Sequence, residues 1–463
     1  MINRHNASFK DSAGQVYQQD TAIYRTVAPS FATAFEAVRA TGLIDQWISH
    51  GDLWPENRMD DLSSQALLFS LCVEKPYAIL SHPPFPFISY PYEWPFALLK
   101  KAALFHLRLL IDALKKQISF KDSSAFNIQF DGVKPLFIDH LSFQPYQKGY
   151  FWEGHTQFFQ EFLNPLLLQA YVQCPYHAFY RGTLEGISTS QLAKMLPFRY
   201  KYRPKTWLHI VLQARLDQNK GINKTRPAFS MPPQGLIRLW MQLSDWISQL
   251  EDKSSKTHWQ AYTQTHSYRP SDYAAKKQFI HKYIQQTQPE MLWDLGCNTG
   301  AFSEIALEAG AKRVIGFDND HSALHQACQR AEDRQLCFTP LYMDMKNPSP
   351  AQGWAHKERD ALSDRQQPDA VLALALIHHL VISGHLPLSM VIPWLLSCSP
   401  SGIIEFIPEH DPMIQQMLAQ HTQPLQDYNL PHCLALINQQ ATIRARLSLG
   451  ENGRELIWFE KHA

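Results

Sequence analysis

Cysteine is scarce in this chain and shows no pairing pattern. Seven occur in 463 residues, at positions 72, 174, 297, 328, 337, 398 and 433, with no Cys-x-x-Cys spacing. An odd, scattered set argues against a disulfide scaffold and against a cysteine-based structural zinc site, and it fits a reducing compartment. An excess of charge of one sign is also missing: 43 Lys and Arg against 42 Asp and Glu leave a net charge of +1. That balance excludes a chain that coats nucleic acid through bulk charge, and equally an acidic solvating tail. The first fourteen residues are polar and lack the apolar core of a secretory signal. No uninterrupted apolar run reaches the ~20 residues that a membrane span needs. The nearest imitation is the 35 residues Ala370–Ile404, which contain no Asp, Glu, Lys or Arg. His378, His379, His385, Gly384, Pro387, Pro393, Pro400 and Gly402 interrupt it, so a buried strand, helix and strand explain it better. Internal repeats and low-complexity tracts are absent too. The expectation is a soluble cytoplasmic protein with no membrane partner.

What is present is apolar mass. Hydrophobic residues make up 45% and charged residues 18% of the chain, enough to bury several cores and too much for intrinsic disorder. The length fits two or three domains. The clearest compositional shift is the polar stretch Glu251-Asp-Lys-Ser-Ser-Lys-Thr257, a linker between residues 251 and 266. Beyond it, strand-like and helix-like segments alternate, as in a parallel sheet with crossover helices. Strands are expected at Met291–Leu295, Arg313–Phe317, Leu336–Tyr342, Ala370–Leu376 and Gly402–Ile407. Helices are expected at Ala301–Ala309, Ser322–Ala331 and Leu386–Leu396. Ala441–Leu449 and Arg454–Glu460 flank Gly450-Glu-Asn-Gly453, a hairpin signal. Upstream, Pro95–Lys116 has the periodicity of a long amphipathic helix, and Phe158–Val172 is apolar enough to be internal.

The richest motif is Leu292-Trp-Asp-Leu-Gly-Cys-Asn-Thr-Gly-Ala-Phe-Ser303. A buried strand runs into a turn with Gly296 and Gly300, and a helix follows. Such a turn, at the carboxyl end of a central strand, is where open α/β sheets place ligands. Eighteen residues past Gly300, Asp318 ends the next strand and is followed by Asn319. Asp344, followed by Met345, ends the third. One acid alone is as readily a helix cap; three at successive strand ends are a specific pattern. Over residues ~265–463 the arrangement resembles the class I S-adenosylmethionine-dependent methyltransferases. The resemblance implies a Rossmann-like, seven-stranded doubly wound sheet with S-adenosyl-L-methionine as cofactor. It assigns Asp294, Gly296, Asn298 and Gly300 to the loop around the methionine part, Asp318 with Asn319 to the ribose, and Asp344 with Met345 to the adenine. Ala375, after the fourth strand, completes the expected cofactor set. Asn298 stands where many members have Gly, and Asn tolerates left-handed backbone. A dinucleotide-binding unit is the rival, but three residues separate Gly296 from Gly300, so the G-x-G-x-x-G spacing is missing.

On the acceptor side the candidates are His378, His379 and Glu405. Methyl transfer is displacement at a sulfonium carbon, helped by alignment and, for a poor nucleophile, by proton removal. A neutral imidazole can take that proton, or it can merely cap a helix or pack under the donor. Glu405 is a substrate ligand or an inner polar group. Trp259–Thr263, Tyr268, Tyr273, Lys276 and Lys277 are either a lid or packing at the domain boundary.

The N-terminal half carries Asp122 and Asn127 in Phe120-Lys-Asp-Ser-Ser-Ala-Phe-Asn127, and Asp139 twelve residues further on. This resembles the catalytic and metal-binding loops of protein-kinase-like phosphotransferases. The resemblance implies an α+β domain over residues 1–250, with a small lobe at about 1–94 and a helical lobe at about 95–250, and Mg-ATP as ligand. Arg25 in place of the family's lysine, and His140-Leu141 in place of Phe-Gly, depart from the pattern. As a whole the chain is similar to NoeA-like nodulation-protein methyltransferases, through Ser89–Trp94, Lys121-Asp122, Asp294–Gly300 and Ile377–Leu380. The resulting expectation is a methyltransferase domain at 267–463 acting on an oxygen or nitrogen of a small-molecule or glycan-type acceptor. The alternatives are a bifunctional protein with an N-terminal phosphotransferase, and an RNA methyltransferase. The RNA reading rests on Phe198-Arg-Tyr-Lys-Tyr-Arg-Pro-Lys205, which, if extended, would set four basic residues on one face and rings on the other. A half-buried strand with a solvated face is the simpler reading of that strip.

Overall fold

The computed structural model describes residues 3–5, 8–19, 22–59, 74–148, 152–218, 231–252, 269–419, 427–450 and 453–462. Five short strands open the chain: β1 (Asn3–Arg4), β2 (Val16–Gln19), β3 (Ala22–Val27), β4 (Asn57–Arg58) and β5 (Ala78–His82). They form an antiparallel sheet in the order β1-β2-β3-β5-β4. The long helix follows at Phe96–Lys115, and Leu98, Leu99, Ala102, Leu107, Leu110 and Leu114 on its inward stripe are buried. Next come β6 (Ile118–Phe120), β7 (Ile128–Asp131), β8 (Lys134–Phe137) and β9 (Phe143–Pro145), paired as β6–β9 and β7–β8. The Phe158–Val172 run is helical and largely buried, with π-turns at Phe159–Leu163 and Leu168–Val172. The helix Pro233–Ser248 packs on Phe96–Lys115.

Helix Pro270–Thr287 leads into the large sheet. Its strands are β10 (Leu292–Leu295), β11 (Val314–Asp318), β12 (Phe338–Tyr342), β13 (Ala370–Ala373), β14 (Ser401–Phe406), β15 (Ala441–Leu449) and β16 (Arg454–Lys461). Helices Ala301–Ala309, His321–Asp333 and Leu388–Ser397 fill the connections. The order is β12-β11-β10-β13-β14-β16-β15, parallel except for β16. β10 through β14 are buried nearly throughout, as parallel strands covered on both faces must be. The chain runs from β10 outward to β12, then returns to β13 on the other side. This reversal opens a crevice at the strands' carboxyl ends, between β10 and β13.

Ala370–Ile404 is indeed strand, helix and strand, and among the described residues no helix is long and apolar enough to cross a membrane. Two expectations need correction. β13 stops at Ala373 rather than Leu376, because Ala375 takes a left-handed conformation, φ +51°. Phe198–Lys205 is not extended but forms two short helical segments, Phe198–Lys201 and Pro204–Thr206. Pro197 and Pro204 start them, Tyr200 is buried, and its ring stacks on Tyr171 at 4.2 Å. The alternating basic strip therefore does not exist as one face. Trp259–Thr263, Tyr268 and most of the 251–266 linker lie outside the described residues.

Both halves share a core. The edge of Phe87 meets the rings of Trp293 and Phe317, with centroids 5.9 and 6.1 Å away. Arg365, in the connection before β13, donates to both carboxylate oxygens of Glu93 at 2.8 and 2.7 Å, and both side chains are buried.

Candidate active site

Asp294 sits within β10, where every residue is buried. Its carboxylate accepts a hydrogen bond from Ser303 Oγ at 2.6 Å, from the first turns of the following helix. Burial pushes this carboxyl up to about 6, and the charge of Asp318 adds to the rise. The turn after β10 has φ of +80° at Gly296, +49° at Asn298 and +75° at Gly300. Asn298 steadies its own left-handed conformation by accepting from the Thr299 N–H at 2.7 Å. Gly300 is constrained twice. Besides its φ, a Cβ there would lie 2.4 Å from the Phe338 ring on β12.

Asp318 ends β11, half-buried at the rim. One oxygen accepts the Asn298 N–H and the other the Asp320 N–H, each at 2.8 Å. Burial nevertheless raises its pKa above the usual carboxylate range. Each oxygen keeps a second lone-pair site for a ligand hydroxyl. Asn319 beside it is exposed. The Met343 N–H bonds to the Asp318 carbonyl at 2.8 Å, which holds the end of β12 against β11. Asp344 follows, half-buried, accepting the Lys346 N–H at 2.9 Å, with Met345 buried next to it. The structure thus sets Asp294, Asp318 and Asp344 at the same ends of three adjacent parallel strands.

Across the crevice, the segment after β13 supplies the wall. The side chain of Leu376 lies 3.6 Å from the Cβ position of Gly296. Ala375 holds its strained φ at the rim, and sparsely populated backbone of this kind collects at ligand sites. His378 is fully buried, and neither ring nitrogen has a hydrogen-bond partner among the described residues. Burial, then the charges of His379 and Arg454, keep it well below the usual imidazole range, so it is neutral. His379 lies beside it, ring centroids 4.1 Å apart, on the exposed side. Glu405 on β14 is buried in an ion pair with Lys276 at 2.6 Å. Tyr273 packs on Phe302, centroids 5.6 Å apart.

Lys276, read in the sequence only as part of a lid or of boundary packing, carries a charge that reaches both Glu405 and Asp294 from the helix before β10. Arg330 was also missed; its Nε–H donates to the Thr299 carbonyl at 2.9 Å and pins the turn. A lone Lys and Arg on amphipathic helices carry no signal for such long-range contacts.

In the N-terminal half, Asp122, Asn127 and Asp139 come together around Ser142. Asn127 Nδ2 donates to Asp122 Oδ1 at 3.2 Å, and Ser142 Oγ lies 2.6 Å from Asp139 and 3.1 Å from Asp122. Arg25 of β3 pairs with Asp139. Burial alone would raise the Asp139 carboxyl, but Arg25 and the Ser142 and Leu141 donors hold it low. Asp122, first by burial and then by the Asp139 charge, is pushed up to about 6.

No protein-family model matches the chain. The nodulation protein NoeA of Rhizobium meliloti (strain 1021) is 38% identical over 461 residues, which span 98% of this chain and 95% of NoeA. Among solved structures, the N-methyltransferase NodS from Bradyrhizobium japonicum WM9 in complex with S-adenosyl-L-homocysteine is 13% identical, covering 43% of this chain and 91% of NodS, with a TM-score of 0.33. Magnesium protoporphyrin IX methyltransferase (ChlM) from Synechocystis PCC 6803 with bound S-adenosylhomocysteine is 16% identical, covering 41% of this chain and 84% of ChlM, with a TM-score of 0.30.

Proposed function

The chain belongs to the family of the nodulation protein NoeA, and from that premise we propose that it transfers a methyl group from S-adenosylmethionine to an oxygen or nitrogen of a small-molecule or glycan-type acceptor. The observation that carries this reading is the trio of carboxylates ending β10, β11 and β12 around a turn of left-handed residues at the reversal of strand order. The residues fit the donor. The turn presents bare backbone at Gly296, Asp318 has lone pairs for the ribose hydroxyls, and Asp344 is placed to accept from the adenine amino group. Asn319, Met345 and Ala375 are the remaining residues that this reading assigns to the donor. When bound, the sulfonium supplies its methyl to an acceptor lone pair, and the C–S electron pair leaves with sulfur.

The chain's own part is alignment and proton handling. His378, beside the cleft and with neither ring nitrogen partnered among the described residues, is the candidate to take the proton of an attacking hydroxyl or amine, although its burial weakens it as a base. Lys276 neutralises Glu405 beneath the cleft, so Glu405 acts by keeping Lys276 in place near Asp294.

Calorimetric titration with S-adenosylhomocysteine tests the donor site. The intact protein is expected to bind, and Asp318→Ala to lose roughly a hundredfold in affinity, as the removal of charge-assisted hydrogen bonds implies. No binding by the intact, folded protein would remove the reading. His378→Gln should lower kcat and leave donor affinity unchanged.

A second reading concerns the N-terminal half, where the assembled Asp122, Asn127 and Asp139 favour an Mg-ATP-dependent phosphotransferase. It expects Mg-ATP binding that disappears in Asp139→Ala. Silence in the intact protein leaves the constellation a binding or structural module.

A further inference from the structure

We propose that Glu56, His82 and His140 form a binding site for a divalent transition ion of the zinc type. The three residues come from separate places: Glu56 just before β4, His82 at the end of β5, and His140 directly after Asp139. One ligand atom from each, a Glu56 carboxylate oxygen and a ring nitrogen of His82 and of His140, lie within 4.8 Å of one another. The relative exposure is 8% for His82 and 4% for His140, and the Glu56 side chain is 4% exposed. Among the described residues His82 Nε2 has no hydrogen-bond partner, and Glu56 Oε2 and His140 Nδ1 have only each other, 2.8 Å apart. Three buried polar atoms facing one another are costly unless a proton on His140 or a cation between them supplies positive charge.

The surroundings are those of a ligand set. His82 Nδ1–H donates to the Pro55 carbonyl at 3.1 Å, and His140 Nε2–H donates to the Trp54 carbonyl at 2.8 Å. Each imidazole is thereby fixed in the tautomer whose lone pair points at the other two ligands, as outer-shell acceptors do in metal centres. The tripeptide Trp54-Pro55-Glu56 thus supplies both acceptors and the carboxylate. Arg39 pairs with the other oxygen of Glu56 and orients it. Two imidazoles and one carboxylate suit Zn²⁺ and its neighbours. The hard ions Mg²⁺ and Ca²⁺ prefer all-oxygen shells, and Cu⁺ prefers thiolate. Ligand atoms in a tetrahedral zinc shell stand roughly 3.3 Å apart, so modest side-chain rotations close the set and leave a fourth position for water. The site would tie β5 and the segment before β4 to the segment carrying Asp139.

The experiment uses the full chain, stripped with a chelator and titrated with Zn²⁺ against a chromogenic indicator. One equivalent should bind, with affinity falling roughly a hundredfold or more in His82→Ala and in Glu56→Gln, beyond the usual loss from removing an outer-shell partner. Circular dichroism establishes that the variants are folded. Should they not fold, X-ray absorption on the zinc-loaded intact protein reads the shell directly and must show two imidazoles and oxygen. Absence of zinc binding, equal binding by folded variants, or a sulfur-containing shell overturns the proposal, and the trio is then a Glu56–His140 ion pair beside a neutral His82.

Discussion

Glu161 is fully buried under the Asp122 loop, where its carboxyl accepts the Ala125 N–H at 2.7 Å. Burial pushes its pKa up to about 8 from an ordinary 4.5, despite the hydrogen bonds that favour ionisation. The folded pKa lies above the unfolded one. Its contribution to stability is therefore complete below pH ~4.5 and lost as pH rises through ~8. Asp122 and Asp294, each near 6, add the same sign over a lower window. His106, buried among Phe rings and depressed to about 3, works oppositely and destabilises the fold below its ordinary 6.5. Buried histidines such as His82 and His106 pull the other way, so the Glu161 effect is read as a difference: in urea denaturation Glu161→Gln should gain stability relative to the intact protein between pH 5 and pH 8. An unchanged difference would show that Glu161 is ionised when folded. At Gly300 the expectation is steric. An alanine there meets the Phe338 ring as well as an unfavourable φ, which costs about 1–2 kcal/mol by itself. Gly300→Ala should lower both the melting temperature and the affinity for S-adenosylhomocysteine. Lys276→Met leaves Glu405 buried without this cation and should cost roughly 3–5 kcal/mol. Adding Glu405→Leu should recover part of that loss, as measured by the same denaturation curves.

Elements were legible in the sequence where period and punctuation agree. Ala301–Ala309 and Ala441–Leu449 have the expected limits, and β10, β11, β12 and β14 shift by one or two residues. The strand-end acids could be read because each terminates an apolar run. The rest was hidden for identifiable reasons. β1 to β5 are two to six residues long, too short for a period, and the pairing of β3 with β5 is non-local. The helices Pro412–Leu418 and Leu430–Asn438 carry no expectation from the sequence, although Asp411 and Asn429 cap them. The Phe198–Lys205 strip alternates with period two, but prolines at both segment starts fix φ for a helical first turn. Ala375 gives no residue-type warning of its left-handed backbone. The Glu56, His82 and His140 set is assembled by folding from distant positions, so no spacing announces it.

Across the whole molecule, the decisive contact joins the two halves. Arg365 is buried with both terminal guanidinium nitrogens on Glu93, and it stacks over Tyr90 with its centre 4.2 Å from the ring. Thr339 on β12 donates to the Gly132 carbonyl at 2.9 Å, and Arg313 pairs with Asp131. These bonds fix β7–β8 and Ser89–Trp94 against the large sheet, on the side of Trp293 and Phe317. A shared core with a buried ion pair behaves as one cooperative unit, since breaking either partner strands a charge. Glu93→Ala is therefore expected to destabilise the full chain by roughly 3–5 kcal/mol. The loss should appear at once in signals from both halves, through tryptophan fluorescence and through retention of S-adenosylhomocysteine. The Phe96–Lys115 helix and the donor turn should consequently lose protection from hydrogen exchange together. Were the N-terminal half to melt first while the donor site stayed intact, the two halves would be independent folding units and the Arg365–Glu93 fork only a docking contact.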